Sequence, residues 1–199
     1  MSDAADKENT LLLTLDAGPV TIQLLPDKAP GHVARIKELA RRGFYDGLTF
    51  HRVIDKFMAQ GGCPDGTGMG GSGKKLKQEF NDVSHQRGVC SMARSSNPDS
   101  GDSQFFIVLD DASFLDKQYT VWGKVVGGME NVDKLPKGEP PRTPGKIVST
   151  TDRPGGAAAT QGADALTSKK TAPVSRTARK TSDNASISGL RPRRAWPRP

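Results

Sequence analysis

The chain is poor in cysteine and in aromatic residues, with two Cys and 6% Phe, Trp and Tyr among its 199 residues. Cys63 and Cys90 allow one disulfide at most, a reading that the lack of a secretion signal disfavours. With no Cys-x-x-Cys spacing and no second histidine near His85, they also make a weak metal set with that histidine. No stretch approaches the ~18 successive apolar residues of a membrane helix. Met1 to Thr10 is polar, and Leu11-Leu12-Leu13 is too short for the apolar core of a secretion signal. These absences predict a cytosolic protein without a membrane anchor, whose two thiols stay reduced.

Acidic residues are scarce at one end only. From Asp152 to Pro199 there are ten Lys or Arg against three Asp, which accounts for the whole net charge of +7 and leaves the preceding residues balanced at 19 of each sign. All seven Phe, both Tyr and both Cys precede Asp152, and Trp196 is the one aromatic beyond it. A segment so basic and so poor in Leu, Ile and Val cannot offset its ordering entropy by apolar burial. The composition therefore predicts a flexible N-terminus over 1–8, one folded domain over 9–151 and a disordered basic tail over 152–199. Two explanations compete for the tail. Arg191-Pro192-Arg193-Arg194-Ala195-Trp196 joins charge to a stacking aromatic and suits an arm that contacts nucleic acid or another polyanion. The same Ala/Thr/Ser/Arg composition fits non-selected sequence attached to a complete domain.

What is present is a succession of short alternating runs. Leu11 to Leu15 and Val20 to Leu25, separated by Asp16-Ala17-Gly18-Pro19, predict an opening β-hairpin. Val33, Ile36, Leu39 and Ala40 recur at helical spacing behind Pro30, with Arg35 and Lys37 elsewhere around the wheel and Gly43 as the stop. Further strands are expected at Phe50 to Ile54, Phe57 to Gly61, Val89 to Ala93, Gln104 to Leu109 and Val121 to Val125, with a brief helix at Met129 to Leu135. Lys146 to Ser149 begins a last strand, and Pro154 with Gly155-Gly156 suggests that it is short and leaves an exposed edge. Eight strands and two helices joined by Gly/Pro/Asp/Ser turns predict a mainly β protein, a closed eight-stranded antiparallel β-barrel capped by two α-helices. Between them, Gly66, Gly68 and Gly71 match a dinucleotide-binding glycine pattern. Lys74 to Phe80 is too short and too polar for the helix that site requires, so Gly61 to Gly73 reads as a flexible surface loop. Asp110-Asp111 reads as a solvated turn.

The stretch from Phe50 to Gly62 carries the chemistry. A turn at Asp55-Lys56 would fold two runs together, and alternation would then put Arg52 on one face with Phe50 and Ile54 as flanks. An arginine among apolar groups is costly to bury unpartnered. Taken alone, the pattern suits a salt-bridged or snorkelling arginine better than a working one. His51, on the opposite face, reads as a packed histidine rather than a proton shuttle.

Phe50-His51-Arg52, then Phe57-Met58-Ala59-Gln60-Gly61-Gly62, then Ser103-Gln104-Phe105-Phe106-Ile107, resembles the cyclophilin-type peptidyl-prolyl cis/trans isomerases, and does so in several motifs in order over residues 9 to 149. The resemblance implies an eight-stranded barrel with two helices and an active site on its outer wall. It implies accelerated rotation about Xaa-Pro bonds of peptides and folding proteins, a reaction that needs no cofactor or metal. Arg52 matches the catalytic arginine and Gln60 the glutamine that positions substrate backbone and supports it. Phe57, Met58, Phe106 and Leu115 match the lining of the proline pocket. Ala93 and Arg94 match the stretch that binds the residue before proline, with Gln104 beside it. Phe114 stands where cyclosporin-sensitive members carry Trp, implying weak cyclosporin binding with catalysis retained. Tyr119 stands where many eukaryotic members have His, and Arg94 replaces the usual Asn. These departures resemble bacterial members and imply altered substrate preference. The expected partners are proline-containing peptides and unfolded or folding chains, met by a monomer away from membranes. A rival reading is a catalytically weak proline-binding chaperone or scaffold, delivered to polyanions by the tail. A pure binder has no need of Arg52.

Overall fold

The computed structural model of the chain describes residues 8–152. Of the expected tail only Asp152 is described, and it belongs to the last strand; the rest of the tail, its disorder and its polyanion contact lie outside the described residues, as does the N-terminal segment up to residue 7.

Eight strands form one antiparallel sheet among the described residues, in the order β3-β4-β6-β5-β7-β2-β1-β8. In chain order these are β1 (Thr10–Leu15), β2 (Gly18–Leu24), β3 (Arg52–Ile54), β4 (Met58–Gly61), β5 (Val89–Met92), β6 (Phe105–Val108), β7 (Val121–Gly127) and β8 (Ile147–Asp152). Helix α1 (Pro30–Arg41) follows β2, and α2 (Met129–Asp133) follows β7. The opening hairpin pairs Leu15 with Gly18 and Leu11 with Ile22, and puts Leu11, Leu13, Leu15, Val20, Ile22 and Leu24 into the core. Pro30 lies in the first turn of α1, where its missing N–H costs nothing. Val33, Ile36, Leu39 and Ala40 then turn inward against the sheet. Trp122 and Phe105 fill the middle of the core, edge to face at 5.7 Å.

Three expectations are corrected. The sheet is an open half-barrel rather than a closed barrel. Its two ends, β3 and β8, share no ladder. β3 has only three residues, and the stretch that faces the start of β8 is the irregular 47–50. That stretch gives separate bonds (Gly47 N–H to Ile147 O at 2.7 Å, Ile147 N–H to Leu48 O at 2.8 Å, Phe50 N–H to Gly145 O at 2.9 Å) and a single bridge, Thr49 with Lys146. The last strand is not short: β8 runs to Asp152 and pairs with β1 from Leu11 to Leu15, because β1 offers it a free edge of equal length. Phe50 does not flank Arg52. The regular strand begins only at Arg52, so Phe50 escapes the alternation and enters the core at 0% exposure, edge to face with Phe105. Arg35 stands off the apolar stripe of α1 and is still not exposed. It is buried, donating to Glu38 Oε2 at 2.8 Å and to Ser72 Oγ at 2.7 Å.

That last contact ties down the glycine-rich loop. Ser72 N–H donates to Asp102 Oδ1 at 2.5 Å, and Gln104 Nε2 donates to the carbonyls of Gly68 (2.9 Å) and Gly70 (2.7 Å). The loop is therefore pinned to the strands rather than free. Gly62, where it leaves β4, has φ +81° and no room for a side chain, since a Cβ there would stand 2.5 Å from the Ser103 carbonyl.

Candidate active site

Register decides which residues meet. Arg52 pairs with Gln60, Gln60 with Phe106 and Phe106 with Ser91, a row that crosses β3, β4, β6 and β5. The next row, Val53 with Ala59, Ile107 and Cys90, faces the core. Because side chains alternate along each strand, Arg52, Gln60 and Phe106 point to the outer wall. Beside Phe106 lies a second apolar cluster, separate from the core: Met58, Val89, Val108, Ala112 and Val121, with Ile54, Phe57, Ala93, Leu115 and Tyr119 packed against it. Met58 and Phe106 form its base at 3% and 5% exposure, while Phe57, Leu115, Tyr119 and Ala93 are half-exposed around it.

Each sequence-designated residue can be placed on this wall. The β3–β4 turn falls at Asp55-Lys56, with Lys56 at φ +55° and Phe57 N–H bonded to Ile54 O at 3.2 Å. It delivers Phe57 beside Phe114, their ring centres 5.5 Å apart. Phe114 is 57% exposed on the short helical turn Ser113–Leu115, which also supplies Leu115. Tyr119 meets Phe106 edge to face at 5.5 Å. Above Tyr119 lies the Arg94 guanidinium, 4.6 Å from the ring centre, its Nε and one terminal nitrogen bonded to the Gln118 carbonyl. Ala93 N–H donates to Gln104 O at 2.9 Å, which ties the end of β5 to the start of β6.

Gln60 behaves differently from the expectation that it supports the arginine. Its Nε2 donates to Gln104 Oε1 at 3.0 Å, and Gln104 passes the connection to the glycine loop. Arg52 takes its partner from elsewhere, with Nε bonded to Glu139 Oε1, 87 residues along the chain. Lys137 to Pro141 is a polar, proline-rich connection with no periodicity, so nothing local pointed to Glu139. His51, under the loop, is buried. That burial, followed by the adjacent Arg52 charge, lowers its basicity, as suits a packed neutral histidine.

A second group escaped sequence reasoning. His85, fully buried and stacked on Phe106 at 6.1 Å, faces Asp116 Oδ1 through Nδ1 at 2.9 Å and Ser91 Oγ through Nε2 at 3.1 Å. Asp116 also accepts from His85 N–H at 2.7 Å and Ser84 Oγ at 2.7 Å. Those bonds, led by the His85 N–H, hold the Asp116 carboxyl below its ordinary range. Burial outweighs Asp116 and lowers the basicity of His85. The trio clamps the segment that bears Phe114, Leu115 and Tyr119 against the back of Phe106. The buried Ser91 hydroxyl, donating to Thr120 O at 2.9 Å, is structural rather than nucleophilic. Among the described residues no cluster of three metal-ligating side chains occurs, and both cysteines are buried free thiols.

Comparison with known proteins identifies the family. The family model for cyclophilin-type peptidyl-prolyl cis-trans isomerases matches residues 10–152. The chain is a cyclophilin. A probable peptidyl-prolyl cis-trans isomerase of Brucella suis biovar 1 is 48% identical over 167 residues, covering 75% of this chain and 85% of that protein. Peptidyl-prolyl cis-trans isomerase B of Bacillus subtilis is 47% identical over 126 residues, 62% of this chain and 87% of its own. Among solved structures, a cyclophilin from Hirschia baltica superposes with TM-score 0.68 at 31% identity, covering 73% of this chain and 74% of that one. A Cryptosporidium parvum cyclophilin, crystallised in the presence of the dipeptide Ala-Pro, gives 0.66 at 28% identity, covering 71% and 96%. This cyclophilin is a peptidyl-prolyl cis-trans isomerase. None of its helices among the described residues is long and apolar enough to cross a membrane.

Proposed function

We propose that this cyclophilin turns Xaa-Pro bonds on the outer wall, with the proline ring seated on Met58 and Phe106 between Phe57, Leu115 and Tyr119, and the Arg52 guanidinium directed at the prolyl nitrogen. The observation that carries the reading is the adjacency of Arg52, Gln60 and Phe106 in one outward row beside a separate apolar cluster. The barrier to rotation is the amide resonance, and unaided isomerisation takes about tens to hundreds of seconds. In the twisted state the nitrogen regains its lone pair and becomes a hydrogen-bond acceptor. A guanidinium, always protonated and held in place, stabilises that state and not the planar one, which is the condition for raising the rate. The apolar seat holds the ring while the acyl side turns. Gln60, braced by its bond to Gln104, presents the rest of its amide to the peptide backbone. Ala93, its N–H already engaged, offers its carbonyl to the residue before proline.

Arg94 lies over Tyr119 at the edge of this seat and would set the preference for that preceding residue. Phe114 lacks the ring N–H of tryptophan and makes weak cyclosporin binding the expectation. The substrates are proline-containing peptides and folding chains, acted on by a monomeric cytosolic enzyme. The test is the cis-to-trans rate of an Ala-Pro peptide with the full chain, with Arg52→Ala and with a chain ending at Asp152, so that β8 stays whole. Strong acceleration that collapses in Arg52→Ala and survives the truncation supports the mechanism and a dispensable tail. Equal rates for the first two folded proteins would leave a proline-binding module.

A further inference from the structure

The open edge of the sheet supplies a group that the strands do not. β3 is the terminal strand, and its outward side is occupied by the connection from α2 to β8. Val53 N–H donates to Gly138 O at 2.9 Å, and Gly138 N–H donates back to Val53 O at 2.8 Å. Lys137 Nζ lies 3.9 Å from Asp55 Oδ1 on the β3–β4 turn. This reciprocal pair fixes the residue after Gly138 beside the residue before Val53, and so brings the Glu139 carboxylate to Arg52 Nε. The Arg52 side chain is 35% exposed and that of Glu139 52%, so the contact lies at the surface of the site and not in the core. No other side-chain partner holds Arg52 among the described residues, and Gln60, opposite it, is engaged by Gln104.

A guanidinium on a flexible stem loses rotamer freedom each time it reaches for a substrate. A carboxylate at Nε removes much of that freedom beforehand and leaves the terminal N–H groups free to donate, in the plane that the Nε bond sets. We infer that Glu139 is a positioning residue for Arg52, holding its guanidinium at the angle the twisted amide requires. The inference rests on the reading of Arg52 as the donor to the prolyl nitrogen. The loop from Lys137 to Glu139 thus has two roles. It covers the unpaired edge of β3 and aims the side chain that edge carries.

The experiment uses the full chain and an Ala-Pro peptide, comparing Glu139→Gln, Glu139→Asp, Arg52→Lys and the Arg52→Lys/Glu139→Gln double variant. Glu139→Gln, which keeps shape and loses charge, should lower kcat/KM by about three- to tenfold, mostly in kcat, with the thermal midpoint unchanged. Glu139→Asp should recover part of the rate. In the Arg52→Lys background, where Nε is gone, Glu139→Gln should have no further effect. Wild-type or faster turnover in Glu139→Gln, or an equal loss in both backgrounds, would overturn the inference. Wild-type turnover in Arg52→Lys would instead overturn the reading of Arg52 as a specific donor.

Discussion

The two faces of the central strands share one backbone ladder and do opposite work. On the inner face Val53, Ala59, Ile107 and Cys90 are at most 1% exposed and touch only the core. One residue away, on the outer face, the Arg52, Gln60, Phe106 and Ser91 row mixes charge, amide and ring. It keeps its polar groups satisfied by partners from distant loops: Glu139, Gln104 and His85. The inner row needs volume and nothing else. The outer row needs particular donors at particular angles, and so depends on segments that are not strands. Stability and activity should therefore separate on substitution, according to the face touched.

The largest effect is expected inside. Ile107→Ala should cost about 2–5 kcal/mol of stability, by lost burial and the cavity it leaves, while the rate per folded molecule is kept. Denaturant titration alongside an isomerisation assay checks both halves, and a selective loss of rate would break the comparison. Outside, Arg52→Ala should lower kcat about a hundredfold or more, the scale for removing one donor to a developing charge. Its unfolding midpoint should stay near wild type, because the lost ion pair is surface-exposed.

Next comes acid. All three histidines, His32, His51 and His85, are pushed below their ordinary value first by burial. The unfolded chain thus takes up protons before the folded one. Their contribution to stability is complete above the ordinary value of about 6.5 and is lost as pH falls from there through the lowered folded values. Asp116, also lowered, adds a loss of the same sign in the carboxylate range. Thermal midpoints from pH 8 to 5 should fall, and His85→Gln should flatten part of that fall. A midpoint independent of pH would show that these groups are not protected as the geometry implies.

The smallest effect concerns specificity. Phe114→Trp adds one ring N–H on an exposed turn and should tighten cyclosporin binding by about fivefold to tenfold, the scale of a single hydrogen bond. Calorimetric titration reads it directly, and unchanged affinity would show that ring identity at 114 is not what limits the drug.

Much of the wall was legible because it is built from local signals. The apolar run from Gln104 to Leu109 marks a strand by itself, and Asp55-Lys56 marks the turn that folds Arg52 against Gln60. Other features were misread for identifiable reasons. Phe50 left the outer face because the strand starts later than its composition suggests. The burial of Arg35 had no local signal, since Ser72 reaches it from a distant loop. Glu139 and the His85–Asp116 clamp gave no signal, since their partners lie 87 and 31 residues away, across connections without periodicity.

The sequence by itself determined that this chain forms a β-sheet protein with one buried helix stripe, while the meeting of an arginine, an amide and a ring on one outer wall was implied by its resemblance to the cyclophilins. Period-2 patterning and turn chemistry are short-range and need no knowledge of the fold. Only the tertiary structure decided that the sheet stays open between β3 and β8, that Arg52 is held by Glu139, and that a buried histidine is stacked behind Phe106. Closure and pairing depend on where chain ends meet in space, and the patterns that set each strand carry no information about that.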